Sequence, residues 1–181
     1  GQNAFIFDKR KTATGPGSTN RYTLYIRPSA NVPGLNFIVG DDSNAVSVVA
    51  PGSTNYAEFL DGTRWISAAV VDRSTNFASL YLAGGDPGEQ SIAGLGSQSN
   101  TTPLRFGANS LQASNYFGGD IAEVLMYSGA LSDADLDAVG GYLAGKYAAE
   151  WTVVVPEPGG IGLLIGGVLA AAAMIRRNGC R

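Results

Sequence analysis

Histidine is absent from this 181-residue chain, and cysteine occurs once, as Cys180, one position from the C-terminus. The first absence removes the usual general base near neutral pH, the relay of a serine hydrolase and the commonest zinc ligand. The second leaves everything before residue 180 without a disulfide. Positive charge is also scarce. Residues 1–152 carry nine basic and 14 acidic side chains, a net charge of −5. A phosphate backbone is held by clustered lysine and arginine, so this balance argues against nucleic acid as a partner.

What the body lacks, the C-terminus holds in one block. Val155-Pro156-Glu157-Pro158 is followed by an uncharged run over residues 159–175 and then by Arg176-Arg177-Asn178-Gly179-Cys180-Arg181. As a helix the run would reach roughly 26 Å, against a hydrocarbon core of about 30 Å. It has no polar face at helical spacing, which excludes an ordinary core helix. The arginines behind it are expected to stay on the cytoplasmic side, which places the preceding chain outside the cytoplasm. Pro156 and Pro158 prevent a helix from continuing back into the body. This order of parts resembles the PEP-CTERM sorting signal of Gram-negative bacteria. The resemblance implies an exosortase-type partner that recognises Pro156-Glu157-Pro158 and removes the tail, with Arg176, Arg177 and Arg181 as its basic end.

Residues 1–150 read as one domain, with a linker over 151–155. Neither a charged-then-apolar leader nor an initiator Met opens the chain, so further N-terminal material is expected. Short apolar or alternating runs recur about every ten residues between turn clusters, at residues 4–8, 21–27, 35–39, 45–49, 56–60, 65–72, 77–82, 104–107 and 120–127. Such spacing predicts a sandwich or jelly roll. Residues 84–103, rich in Gly, Ser, Gln, Asn and Thr, read as a long surface loop. One helix is expected after Ser132, a plausible N-cap, with Asp133 and Asp135 in its first turn. Leu136, Val139, Leu143 and Tyr147 then share a face that should pack on the sandwich.

Gly118-Gly119-Asp120-Ile121-Ala122-Glu123-Val124-Leu125-Met126-Tyr127, with Ala130-Leu131-Ser132-Asp133 behind it, resembles the closing segment of LamG-like, concanavalin A-type jelly-roll domains. The stretch from Arg64-Trp65 to Leu80-Tyr81-Leu82-Ala83-Gly84 is similar to that family's central hairpin, and Leu104-Arg105-Phe106-Gly107 to the strand that follows. The resemblance implies an all-β jelly-roll sandwich with one helix packed on it. The separate transmembrane-type helix over 159–175 comes last. It also implies binding or adhesion, with an extracellular polysaccharide or surface protein as partner.

Glucan hydrolases of this fold carry carboxylates at Glu-x-Asp-x-x-Glu spacing, because one carboxyl protonates the leaving oxygen while another attacks or activates water. The pattern does not occur here. Asp120 and Glu123, three apart, would point to opposite faces of a strand. No enzyme activity is therefore expected. Asp133, Asp135 and Asp137 begin like a calcium loop, but the required Gly and Glu are replaced by Ala138 and Ala144. Asp41, Asp42 and Asn44 form a denser oxygen cluster, as do Asp72 and Asn76. Each reads either as a solvated turn or as a calcium site, calcium being the one cofactor considered. Trp65, Tyr81, Tyr116 and Phe117 are either sugar-stacking faces or packing residues. The leading reading is an exported, non-enzymatic binding module of the envelope or extracellular matrix. The alternatives are a structural matrix component without a discrete ligand and an accessory domain of a larger secreted enzyme.

The tail reading has a direct test. In a host with an exosortase, residues 156–181 should be lost or membrane-held, and alanine at Pro156, Glu157 and Pro158 should leave the full tail attached. Intact-mass spectrometry reads the difference. An unchanged mature mass, with surface release as before, overturns the assignment.

Overall fold

The computed structural model describes residues 3–12, 19–28, 34–53, 59, 61–111 and 114–154. The strands expected at residues 21–27, 45–49 and 77–82 appear with those bounds as β2 (Arg21–Arg27), β4 (Ala45–Val49) and β6 (Phe77–Leu82). β1 (Ala4–Arg10), β3 (Gly34–Gly40), β5 (Ser67–Asp72) and β8 (Arg105–Phe106) differ at their ends by up to two residues. The polar stretch expected as a loop contains a further strand, β7 (Gly88–Ser91). It has little apolar alternation because it is an edge strand with mostly exposed side chains, held by its ladder to β6. Of the run at residues 56–60, all but Phe59 lies outside the described residues.

Two antiparallel sheets result, one in the order β4-β3-β2-β1-β8 and the other β5-β6-β7. Their facing sides form the core. Leu24 and Ile26 of β2, Leu35, Phe37 and Val39 of β3, and Val48 of β4 meet Ala78 and Leu80 of β6, with Ile92 and Leu95 closing one end. Alternation along each strand supplies this face, since successive side chains point to opposite sides. At β1 the alternation is interrupted. Phe5 pairs with Tyr25 and Phe7 with Leu24, so one extra residue, Ile6, is accommodated as a bulge. Phe7 therefore packs toward the core, edge-on to Phe37, while Phe5 stacks on Tyr25 at 5.5 Å on the outer face.

Helix α1 (Asp133–Tyr147) begins as expected: the Ser132 Oγ accepts a hydrogen bond from the Asp135 amide at 3.2 Å. It ends at Ala148, in left-handed geometry, whose amide donates to the Ala144 carbonyl. Of the four residues expected to pack on the sandwich only Leu136 is buried; Val139, Leu143 and Tyr147 are half-buried, and none of the four belongs to the core between the sheets. The space beside this face is taken by the chain that follows the helix. Asp137 accepts from the Trp151 indole at 3.0 Å and from the Val154 amide at 2.7 Å. Thr152 forms a parallel bridge with Gly84. Residues 151–154, expected as a linker, are thus tied to the body, while Val155 and the apolar run lie outside the described residues. Among the described residues no helix is long and apolar enough to cross a membrane.

Residues 120–127, expected as the last strand, form none. Ile121, Val124, Leu125, Met126 and Tyr127 are exposed, and residues 118–131 make no backbone hydrogen bond with another described residue before the helix cap. The side chain of Glu123 anchors the segment to α1, accepting from the Lys146 ammonium at 3.2 Å and the Tyr147 hydroxyl at 3.1 Å. A short apolar run is a property of the segment; a strand also needs a neighbouring edge to pair with.

The helix glycines give opposite expectations. Alanine normally stabilises a helix interior by about 1 kcal/mol over glycine. A Cβ on Gly141 meets nothing within 4 Å, so Gly141→Ala should gain most of that amount. A Cβ on Gly140 would lie 2.1 Å from the Trp151 ring, so Gly140→Ala should be destabilising despite the better propensity. Thermal unfolding of the two variants checks this; equal shifts of the same sign would show that Trp151 does not lie on the helix.

Candidate functional site

One end of the sandwich carries a groove of about 610 Å³, lined by Lys9, Tyr22, Arg73, Gln98, Asn100 and the backbone around residues 95–99. Strand register places the first two. Lys9 pairs with Tyr22, and Tyr22 with Val39, so the three form the last row of the core-facing side of the sheet. At this row the interior turns from apolar to polar. The floor is partly dry: burial raises the Tyr22 hydroxyl above its ordinary range, while nearby Arg73 acts in the opposite sense.

The wall is the segment after β7, which is folded onto the sheet by side chains. Arg73, in the turn between β5 and β6, donates to the Leu95 carbonyl at 3.0 Å and the Gly96 carbonyl at 2.7 Å. Gln98 donates to the Gly96 carbonyl at 2.6 Å and accepts from the Tyr22 hydroxyl at 3.3 Å. Buried Asn20, just before β2, accepts from the Asn100 amide group at 3.0 Å, and Asn100 in turn accepts from the Thr102 amide at 3.1 Å. Lys9 reaches the Thr102 carbonyl. Donors and acceptors are therefore fixed before any ligand arrives, which lowers the ordering cost of binding.

Asp41 closes the assembly from the β3–β4 turn. Its Oδ1 accepts from the amides of Ser43 at 2.7 Å and Asn44 at 2.6 Å, and its Oδ2 accepts from the Gly96 amide at 2.6 Å. These bonds, led by the one from Gly96, hold its carboxyl below the usual carboxylate range. Asp42 turns to other partners, the Lys11 ammonium at 2.7 Å and the Asn20 amide group at 2.9 Å, which likewise lower its pKa. The carboxylates of Asp41 and Asp42, adjacent in sequence, thus accept from different sets of donors. Among the described residues no three His, Cys, Asp or Glu side chains gather into a metal-binding group. The second cluster is also turn chemistry: Asp72 accepts from the Ser74 amide and hydroxyl, each at 2.7 Å, and Asn76 adopts a left-handed φ of 61°.

The aromatic candidates separate. Tyr81 is buried and Phe117 packs against the core. Tyr116 is exposed, and Trp65 is partly exposed beside Phe59, in a second, smaller groove with Arg64 and Glu150. None of the four lines the larger groove. Pro156, Glu157, Pro158, Arg176, Arg177 and Arg181 lie outside the described residues. Lys9, Arg73, Gln98 and Asn100 were not legible as site residues. The polar composition of residues 84–103 marked a surface loop, but nothing local showed that it folds back over the end of the sheet.

Two antiparallel sheets packed face to face, with a loop-built polar groove at one end, define a jelly-roll-type sandwich. The chain belongs to the concanavalin A-like lectin/glucanases superfamily, whose family model matches residues 2–137. That superfamily contains both lectins and glucanases, and the match does not extend to the tail. No curated protein and no solved structure matches the chain.

Asp41 should make the fold acid-sensitive. Its folded pKa is depressed, so its contribution is present above the ordinary carboxylate pKa and is lost as pH falls through the lowered value. Asp41→Asn keeps the size but turns an amide N–H toward backbone donors. It should lower the melting temperature at pH 7 and flatten its decline between about pH 5 and pH 2. Hydrogen exchange at the Gly96 amide should accelerate. An unchanged Gly96 protection factor would show that the tether is not made in solution.

Proposed function

We propose that this chain is a non-enzymatic carbohydrate-binding module, exported and delivered to the cell envelope or extracellular matrix through its C-terminal tail. The observation that carries the binding role is the groove at the end of the sandwich. Its amides, cations and backbone groups are held by one another, and it stands in a superfamily with lectin members. Saccharide hydroxyls require donors and acceptors in fixed positions, which such a wall provides.

The absence of hydrolysis rests on the groove's chemistry. Glycoside hydrolysis needs two carboxyl groups flanking the scissile bond. No Asp or Glu is among the residues lining the groove. Asp41, whose carboxylate accepts from the Gly96 amide in the wall, and Asp42 accept from amides and from Lys11. The export and sorting role rests on Pro156-Glu157-Pro158, the apolar run and Arg176, Arg177 and Arg181, with an exosortase-type enzyme as the partner.

A glycan array probed with the chain, followed by a reducing-end assay on the saccharides it retains, tests the reading. Retention of a defined set of glycans without release of new reducing ends is expected. New reducing ends would make it a glucanase. No retained glycan would favour a structural matrix component.

A further inference from the structure

We propose that residues 151–154 are a strap that, while closed, withholds the chain entering the tail from processing, so that Pro156-Glu157-Pro158 is read only from the opened state; this rests on the sorting reading above. The ties are local and few. The Trp151 indole and the Val154 amide both donate to the Asp137 Oδ1, at 3.0 and 2.7 Å. The Thr152 amide donates to the Ala83 carbonyl at 2.7 Å, and the Thr152 carbonyl accepts from the Gly85 amide at 3.0 Å. The body carries a seat for this segment. Ala83, Gly84 and Gly85 all take left-handed φ, at 55°, 75° and 69°, a run that costs conformational energy at the alanine. It brings the Ala83 carbonyl and the Gly85 amide onto Thr152, and a Cβ at Gly84 would lie 2.0 Å from the Thr152 carbonyl oxygen. Gly140 keeps a second clearance, for the Trp151 ring.

The strap can open without unfolding the sandwich. The core between the sheets contains none of residues 151–154, and Thr152 and Val153 are exposed. Segments of this kind open at a lower free energy than core strands. Closed, the strap leaves little chain to work on. Pro156 is two residues beyond the last tied amide, a reach of about 7 Å at full extension. A cleft that takes Pro156-Glu157-Pro158 as extended chain also has to admit the residues beside them, because main-chain hydrogen bonds along the chain hold such a segment. With the Val154 amide bound to Asp137, the body stands in that place. Where opening and closing are fast, the cutting rate follows the population of the open form. The stability of the strap thereby sets the rate of tail removal.

The test uses the 181-residue chain and separate readouts for the strap and for processing. Hydrogen exchange on the chain in detergent reads the strap, and pulse-labelled intact mass in a host with an exosortase reads processing. Asp137→Ala removes the acceptor of both donors, whereas Asp137→Asn keeps a carbonyl that accepts. A Gly/Ser insertion of about six residues between Val154 and Val155 keeps the strap but moves the motif clear of the body. The Val154 amide should be protected in the parent and in Asp137→Asn, and released in Asp137→Ala. Tail removal should run about tenfold or more faster in Asp137→Ala and in the insertion, with Asp137→Asn close to the parent. Should Asp137→Ala fail to fold, the insertion decides alone. An unprotected Val154 amide in the parent overturns the strap. Processing at the parent rate, in the insertion or with the Val154 amide released, overturns the gating and leaves the sorting reading intact. A tail that is kept in the parent and in every variant overturns the sorting reading, and the gating with it.

Discussion

The bulge at Ile6 sets which side chains of β1 face inward, and much of the molecule follows from that choice. Without the extra residue, strict alternation from Ala4 would send Asp8 and Arg10 toward the core and Phe7 outward. With it, Phe7 joins Leu24 and Phe37 in the interior, and Lys9 falls beside Tyr22 at the groove. Asp8 goes to the outer face, fully buried, where it accepts from Thr23, from the Ser110 amide and from the Ser110 hydroxyl. A buried carboxylate needs such partners. Thr23 comes from the neighbouring strand, but Ser110 lies 102 residues away, and its segment is thereby fastened across the outside of β1. The Asn115 carbonyl accepts from Phe5 in the same way.

A second pattern runs through the loops. Asp41, Asp61, Asp72 and Asp137 all accept from backbone amides, and each thereby closes a turn or ties down a strand of loop. Three of them have depressed pKa values with hydrogen bonds as the leading cause. The acidic character of this chain is therefore partly architectural. Loop carboxylates serve amide groups that helices or longer ladders would otherwise satisfy. This fits a protein with short strands, many loops and no disulfide within its body to hold them. The cations are used differently: Arg73 and Lys9 gather backbone carbonyls at the groove.

Much was legible before the fold was known. The spacing of short apolar runs identifies the sandwich because burying one sheet face requires period-two alternation, a property of the local chain. Ser132 and the acids behind it mark a helix start because capping is satisfied within one turn.

What only the tertiary structure decided depends on partners distant in sequence. Residues 120–127 are as apolar as a strand yet pair with none of the described residues, whereas residues 88–91, with almost no apolar pattern, form a strand because β6 offers an edge. Asp41 and Asp42 are adjacent, but one binds Gly96 and the other Lys11, and that divergence separates a tether from an ion pair. The groove joins Lys9, Tyr22, Arg73 and Gln98 from four separate stretches, its register set by one extra residue in β1. Local sequence determines which backbone conformations and burial patterns are favourable. Which groups meet is set by how the sheets stack and where the loops return, and those contacts have no signature within any single stretch of the chain.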